Sequence, residues 1–275
     1  MGRVEAMNHG EKSTLPAVLS IAGSDSSGGA GIQADLKTIM ACGGYGMTAI
    51  TSLTAQNTTG VRMVEDVTPE MLGAQIDAVF EDIRPDAVKI GMVSSVALIE
   101  VIEDRLRHWQ ATKVVLDPVM IATSGAKLIS DDAVEALTAR LFPLATLVTP
   151  NIPEAETLTV AHIENAEDME AAAVRLAEQY GCATLVKGGH NVTGDADDVL
   201  ADATGAITWF PGTRLSNPNT HGTGCTLSSA IATGLAKGDP LPKAVKRAKK
   251  YLTGAIKAGL DMGHGSGPLN HAWKR

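Results

Sequence analysis

Aromatic side chains are scarce, at 3% of 275 residues. Any core must therefore be filled by Val, Ile, Leu, Ala and Met. The 44% hydrophobic content supplies them and argues against a disordered main body. Cysteine is sparse too. Cys42, Cys182 and Cys225 are odd in number, widely spaced and form no C-x-x-C pair. That excludes a disulfide scaffold or a paired-cysteine zinc site and fits a reducing cytoplasm. Positive charge is in deficit, with a net charge of −8, which weakens a general nucleic-acid-binding reading. No run of about 18 apolar residues marks a membrane span. The N-terminus lacks the charged, apolar and small-residue succession of a signal peptide. There is no G-x-x-x-x-G-K-[ST], so the P-loop class is out. Repeats, low-complexity tracts and a central linker are also missing. Residues 1–16 read as a flexible leader and 17–275 as a single domain.

What is present is a regular alternation. Short apolar runs at 18–22, 48–53, 87–90, 114–116, 146–148 and 183–186 read as strands. Helical spacing occupies 31–41, 96–106, 133–141, 169–177, 222–236 and 242–260. Thr68-Pro69 is an N-cap followed by proline at the first helical position, opening a further helix that stops before Pro85. A small strand is expected at 61–67, and 199–201 with 207–210 suit an antiparallel pair joined through Thr204-Gly205. The fold class is therefore α/β, a mostly parallel central sheet with helices on both faces.

In such sheets ligands bind beyond the carboxyl ends of the strands. Polar residues recur there: Gly23-Ser24-Asp25, Gln56-Asn57, Gly91-Met92, Asp117-Pro118, the stretch 151–154 and Lys187-Gly188-Gly189. The sharpest local signal is Asn219-Thr220-His221-Gly222-Thr223-Gly224-Cys225 before a helix. Glycines let the backbone approach an anion, and the free N–H groups of a helix start point at it. The plain alternative is a glycine-rich cap without a ligand. Cys225 falls in the first helical turn, which favours a thiolate able to accept a proton. Its plain alternative is a small buried hydrophobe. Asp117 and Glu154 are carboxylates able to hold Mg²⁺ through water, and Lys187 can neutralise a phosphate. A turn residue, a helix-start carboxylate and a solvated lysine are the corresponding bland readings. Lys243, Lys246, Arg247, Lys249 and Lys250 read as the solvated face of the last helix.

Gly29-Ala30-Gly31-Ile32-Gln33-Ala34 imitates a dinucleotide fingerprint. It starts too far beyond the strand, and no acidic residue follows about 20 positions later.

Longer stretches carry a resemblance. IAGSDSSGGAGIQADLK at 21–37, TAQN at 54–57, KIGM at 89–92, DPVM at 117–120, TPN at 149–151 with Glu154, KGGH at 187–190 and THGTGC at 220–225 closely resemble, in order, the hydroxymethylpyrimidine and phosphomethylpyrimidine kinases of thiamine biosynthesis. The resemblance implies a ribokinase-like fold and two ATP-dependent steps at one site. First the hydroxymethyl group of 4-amino-5-hydroxymethyl-2-methylpyrimidine is phosphorylated, then its monophosphate. By the same match Cys225 is the base of the first step and Gly222, Thr223, Gly224 and Cys225 form the anion hole. Gln56 reads the pyrimidine, with Asp35, Gly23, Ala30, Met92 and Val119 lining its pocket. Lys187, Asn151 and Thr220 serve ATP, and Glu154 and Asp117 serve Mg²⁺. A cytoplasmic homodimer is implied as well. The alternatives are a pyridoxal kinase of the same family, an NAD-dependent oxidoreductase built on the glycine imitation, and a catalytically silent binding protein.

Overall fold

Strand β1, Ala17–Ala22, is buried at every position because both of its faces are covered. Successive side chains alternate between two cores. Val18 joins a cluster with Leu227 and Ala244, while Leu19 and Ile21 join another with Ile76 and Ile99. The computed structural model describes residues 15–120, 129–189 and 195–274. Residues 1–14 of the expected leader, and His190 of the KGGH stretch, lie outside the described residues.

The main sheet has the order β10-β9-β8-β7-β6-β5-β1-β2. Its remaining strands are β2 (Tyr45–Ile50), β5 (Ala87–Ile90), β6 (Val114–Leu116), β7 (Leu147–Val148), β8 (Ala183–Lys187), β9 (Asp198–Ala201) and β10 (Ile207–Phe210). All pairings from β2 through β8 are parallel, and β9 and β10 add antiparallel strands at one edge. The strand order reverses beside β1. This is the switch point at which a crevice opens beyond the strand ends. The mostly parallel α/β class is borne out.

One face carries α1 (Gly31–Ala41), α7 (Thr223–Ala236) and α8 (Leu241–Ala258), around Val115, Leu185 and Leu200 of the strands. The other carries α2 (Pro69–Asp82), α3 (Val96–His108) and α4 (Asp131–Ala136), with α5 (Ile152–Thr159) and α6 (Ala166–Tyr180) over β8 and β9. Thr68 caps α2 as expected, its hydroxyl accepting the Met71 amide at 3.2 Å.

Three expectations need correction. The single strand expected at 48–53 is two strands. The chain leaves the main sheet after Ile50, and β3 (Ser52–Asn57) pairs only with β4 (Gly60–Asp66) as a separate ribbon. Thr51 makes the break: its amide still bonds Ala22 of β1, but its carbonyl accepts the Val67 amide. The helix expected at 133–141 starts earlier and loosens into a π-helical turn over Leu137–Leu141. Helix α5 was foreshadowed only by the plain reading of Glu154 as a helix-start carboxylate, and its extent was not expected. Asn151 and Glu154 start it as a reciprocal capping box, each side chain accepting the other's backbone N–H.

Candidate active site

A cleft of about 770 Å³ lies at the strand ends, lined by residues at or just beyond the ends of β1, β3, β5, β6, β7 and β8, by Asp198 of β9, by the start of α7 and by α8. Of the expected site residues, Gly23, Ala30, Gln56, Met92, Asp117, Val119, Asn151, Glu154, Lys187, Thr220, Gly222, Thr223, Gly224 and Cys225 all line it.

Asp35 does not. It lies on the inward face of α1 and is wholly buried. Its carboxylate is fully engaged, accepting Ser20 Oγ at 2.6 Å, Lys89 Nζ at 2.8 Å and Ser229 Oγ at 2.7 Å. Asp35 is therefore the internal counter-ion of Lys89 and no pocket wall. Removing one partner of such a buried pair costs about 3–5 kcal/mol.

The glycine loop after β1 is folded around its own anion. Asp25 Oδ2 accepts the amides of Gly29 at 3.1 Å and Ala30 at 2.8 Å, and Oδ1 accepts the amide and hydroxyl of Ser27. The amides that a dinucleotide pyrophosphate would need are already engaged, which disposes of the fingerprint imitation. His221 Nε2 stands 2.8 Å from the same carboxylate and ties this loop to the loop before α7. Burial alone would raise the Asp25 carboxyl. The bonds from His221, Ser27 and Ala30 outweigh it and hold the group well below the ordinary carboxylate range.

Gln56 sits where the β3–β4 register slips, a bulge that re-aims its side chain into the cleft. Ser26 Oγ locks its backbone, donating to the Gln56 carbonyl at 2.7 Å and accepting its amide at 2.8 Å. The side-chain amide lies 3.3 Å from His221 Nε2. The atom facing it is the Gln56 amide nitrogen, and on the other side Gln56 Oε1 lies 3.4 Å from Thr54 Oγ1. Thr54 Oγ1 makes its shorter bond to the Ser24 carbonyl, at 2.8 Å.

Charge is concentrated at the far end of the cleft. Lys187 Nζ contacts Asp117 at 2.8 Å and Glu154 at 4.0 Å. Thr149 Oγ1 also donates to Asp117, at 3.1 Å. Glu154 Oε2 accepts the Asn151 amide at 2.7 Å within the capping box. Burial, with Asp117 adding repulsion, pushes the Glu154 carboxyl up to about 7 against the pull of Lys187. Two carboxyl groups face one cation, and their mutual repulsion is relieved by a second cation or by a proton on Glu154. These hard oxygen donors fit Mg²⁺, which would neutralise phosphate charge there.

Helix α7 starts at Gly222, whose φ of 83° lies in the left-handed region. A Cβ there would fall 1.9 Å from the Gly29 carbonyl oxygen, so glycine is required on both counts. The Thr223 amide donates to the Thr220 carbonyl at 3.3 Å. This removes Thr223 from the expected set of amide donors. The amides of Gly224 and Cys225 have no acceptor among the described residues and remain for an anion. The expectation of a lowered Cys225 thiol is overturned. Burial is the largest influence and pushes it up to about 11, although Lys89 and the Gly31 amide favour the thiolate.

Sequence reasoning passed over three charged residues. Lys249 is no solvated lysine. It lines the cleft and bonds Asp198 at 2.7 Å, and Asp198 also accepts the Gly188 amide at 3.0 Å. Lys89 is wholly buried in a strand. A charge inside the apolar AVKI run was the one signal available for any of them.

A doubly wound sheet, a free-amide helix start and a lysine among carboxylates at its switch-point cleft define an α/β phosphotransferase. The phosphomethylpyrimidine kinase family matches residues 25–270. A hydroxymethylpyrimidine/phosphomethylpyrimidine kinase of Rhizobium meliloti is 52% identical over 256 residues, covering 92% of this chain and 96% of that one. A thiamine biosynthesis bifunctional protein of Geobacter sulfurreducens is also 52% identical, over 93% of this chain, but the chain spans only 52% of its length. In structure, the ADP complex of Bacillus subtilis pyridoxal kinase superposes with a TM-score of 0.87 at 35% identity, covering 95% of this chain and 99% of that one. The chain belongs to the phosphomethylpyrimidine kinase family, and it is a kinase of the ribokinase-like fold.

Proposed function

We propose that the chain, with residues 17–275 acting as one domain, uses ATP to phosphorylate 4-amino-5-hydroxymethyl-2-methylpyrimidine and then its monophosphate. The observation that carries this reading is the shared cleft. Gln56 at one end and the Lys187–Asp117–Glu154 trio at the other flank the free amides of Gly224 and Cys225. In the first step the substrate hydroxyl oxygen bonds the γ-phosphorus. The bond to the β,γ-bridging oxygen breaks, and ADP leaves with its electron pair. The hydroxyl proton passes to the sulfur of the Cys225 thiolate, giving the neutral thiol, and the two amides receive charge developing on the phosphoryl oxygens. In the second step the nucleophile is already a phosphate oxygen and needs no base. Gln56 offers its primary amide to the ring nitrogen and amino group of the pyrimidine. Lys187, with Asn151 and Thr220 beside it, serves the ATP phosphates, while Asp117 and Glu154 hold Mg²⁺.

A homodimer is supported by the exposed apolar residues Leu53, Met63 and Val64 of the β3–β4 ribbon. A cytoplasmic setting is supported by the free thiols of Cys42, Cys182 and Cys225. No helix among the described residues is long and apolar enough to cross a membrane. Pyridoxal phosphorylation is a second reading, favoured by the close superposition on a pyridoxal kinase. Mass analysis of a reaction with ATP, Mg²⁺ and hydroxymethylpyrimidine tests the proposal. Successive gains of one and two phosphates are expected, and an unchanged pyrimidine contradicts it.

A further inference from the structure

The β3–β4 ribbon carries Gln56 but pairs with no other strand among the described residues. A lone two-stranded ribbon is marginal in water, so contacts from elsewhere must fix where its tip stands. Asn57 pairs with Gly60, which leaves Thr58 and Thr59 as the turn. One tie is to the glycine loop, where Ser26 holds the backbone of Gln56. A second is to the chain that follows α8. Thr58 Oγ1 accepts the amides of His264 at 3.2 Å and Gly265 at 3.3 Å. Gly265 lies so close that a Cβ there would run into the Thr58 carbonyl oxygen. The same segment then reaches the loop before α7. The Gly267 amide donates to Asn219 Oδ1 at 2.9 Å, and its carbonyl accepts the His221 amide at 3.3 Å. Ser266 Oγ donates to the Pro218 carbonyl at 3.2 Å, and Asn219 Nδ2 to the Leu260 carbonyl at 2.7 Å. Pro268 lies beside His221 in a short parallel bridge, and Leu269 is buried. Further on, His271 Nε2 stands 3.0 Å from Thr226 Oγ1 at the start of α7, and its carbonyl accepts the Tyr251 hydroxyl of α8 at 2.8 Å. The glycine-rich stretch GHGSGP at 263–268 is thus fastened to the ribbon tip at one end. Its other end is fastened to the helix start that carries the free amides of Gly224 and Cys225.

We propose that the segment 263–268 is a strap that sets the span between the pyrimidine end and the phosphate end of the cleft, with Thr58 as the positioning residue through which it holds Gln56. This rests on the ring substrate meeting Gln56. Gln56 lies two residues before Thr58 and next to the bulge, so a shift of the turn is passed on to its side chain. The far end of the strap stays with α7, and Lys187 and Asp117 belong to the main sheet. Loosening the ribbon end should therefore weaken the hold on the ring and spare the nucleotide.

Steady-state kinetics of the intact protein tests this, with KM for the ring substrate and KM for ATP measured separately. Both hydroxymethylpyrimidine and pyridoxal are assayed, and circular dichroism confirms folding of each variant. Thr58→Val keeps the shape of the side chain but removes the acceptor of two amides. It should raise KM for the ring substrate about fivefold, the worth of an ordinary hydrogen bond, and leave KM for ATP unchanged. Thr58→Ser keeps the hydroxyl and should return to the parent value. Gly265→Ala approaches from the strap side and should raise the same constant at least as much. A merely structural strap predicts a lower melting temperature with no split between the two constants. A ring-substrate KM that stays put in the folded variants, or rises in step with that for ATP, overturns the proposal. So does a Thr58→Ser chain no better than Thr58→Val. If Thr58→Val or Gly265→Ala fails to fold, the other decides. A parent chain that phosphorylates pyridoxal but not the pyrimidine sinks the substrate reading alone, and KM for pyridoxal then judges the strap. A parent that phosphorylates neither overturns both.

Discussion

Cys225 stands between opposing influences. A helix start, the Gly31 amide and Lys89 favour its thiolate, yet burial prevails and holds the thiol at about 11. A base with so high a value is scarcely ionised at neutral pH, and its active fraction grows about tenfold per pH unit. First-step kcat/KM should therefore climb from pH 6 to 9, and Cys225→Ala should abolish that climb. The same substitution should lower the first step by about 10²–10⁴-fold, the usual worth of a positioned base. The second step should fall less than tenfold. Equal loss of both steps would contradict the assignment. Asp25 makes a separate prediction. A carboxyl held below its unfolded value of about 3.9 contributes stability that is complete above that pH and is lost as pH falls further. Acid denaturation monitored between pH 5 and 2 should therefore be shallower for Asp25→Asn than for the parent chain. At this scale the sequence conveyed residue types well and partners poorly. Asp25 and His221 are 196 positions apart and Asp35 and Lys89 are 54 apart, so no local pattern announces either pair. The pocket role expected of Asp35 came from the family resemblance, which carries the residue type and not its partner.

At the level of elements, the junction of α1 and α7 decides the geometry. The Gly29 carbonyl presses against Gly222, whose backbone occupies the left-handed region. Gly222→Ala should force the loops apart and move the Gly224 and Cys225 amides. A displacement of about 1 Å is enough for a loss near 100-fold. Because the amides serve both transfers, kcat/KM should drop for both, unlike in Cys225→Ala. Steady-state kinetics on the two substrates distinguishes the cases. The elements were largely legible from periodicity: α1 has the expected bounds, and β5, β6 and α2 follow from apolar runs and a Thr-Pro start. The separation of β2 from β3 was not, because it depends on where the Thr51 carbonyl finds its partner. Helix α5 was legible in principle as Asn-x-x-Glu with a proline between. For Glu154 the ligand reading and the helix-start reading both hold, since it caps the helix and lines the cleft.

On the scale of the whole molecule, the parallel order of the sheet gathers distant loops into one cleft. Gln56, Lys187 and Cys225 lie far apart in the chain and line the same cavity. Motif order made the family legible, since the matched stretches fall at successive strand ends. What no motif conveyed was the orientation of Gln56. Its side chain is set between His221 Nε2 at 3.3 Å and Thr54 Oγ1 at 3.4 Å. A primary amide, able both to donate and to accept, suits a pyrimidine that offers a ring nitrogen beside an amino group. The most direct test is competition between hydroxymethylpyrimidine and pyridoxal under ATP and Mg²⁺, with products identified by mass. The account predicts a higher kcat/KM for the pyrimidine and its conversion through the monophosphate to the diphosphate. Preferential phosphorylation of pyridoxal, or a pyrimidine reaction that halts at the monophosphate, would contradict it.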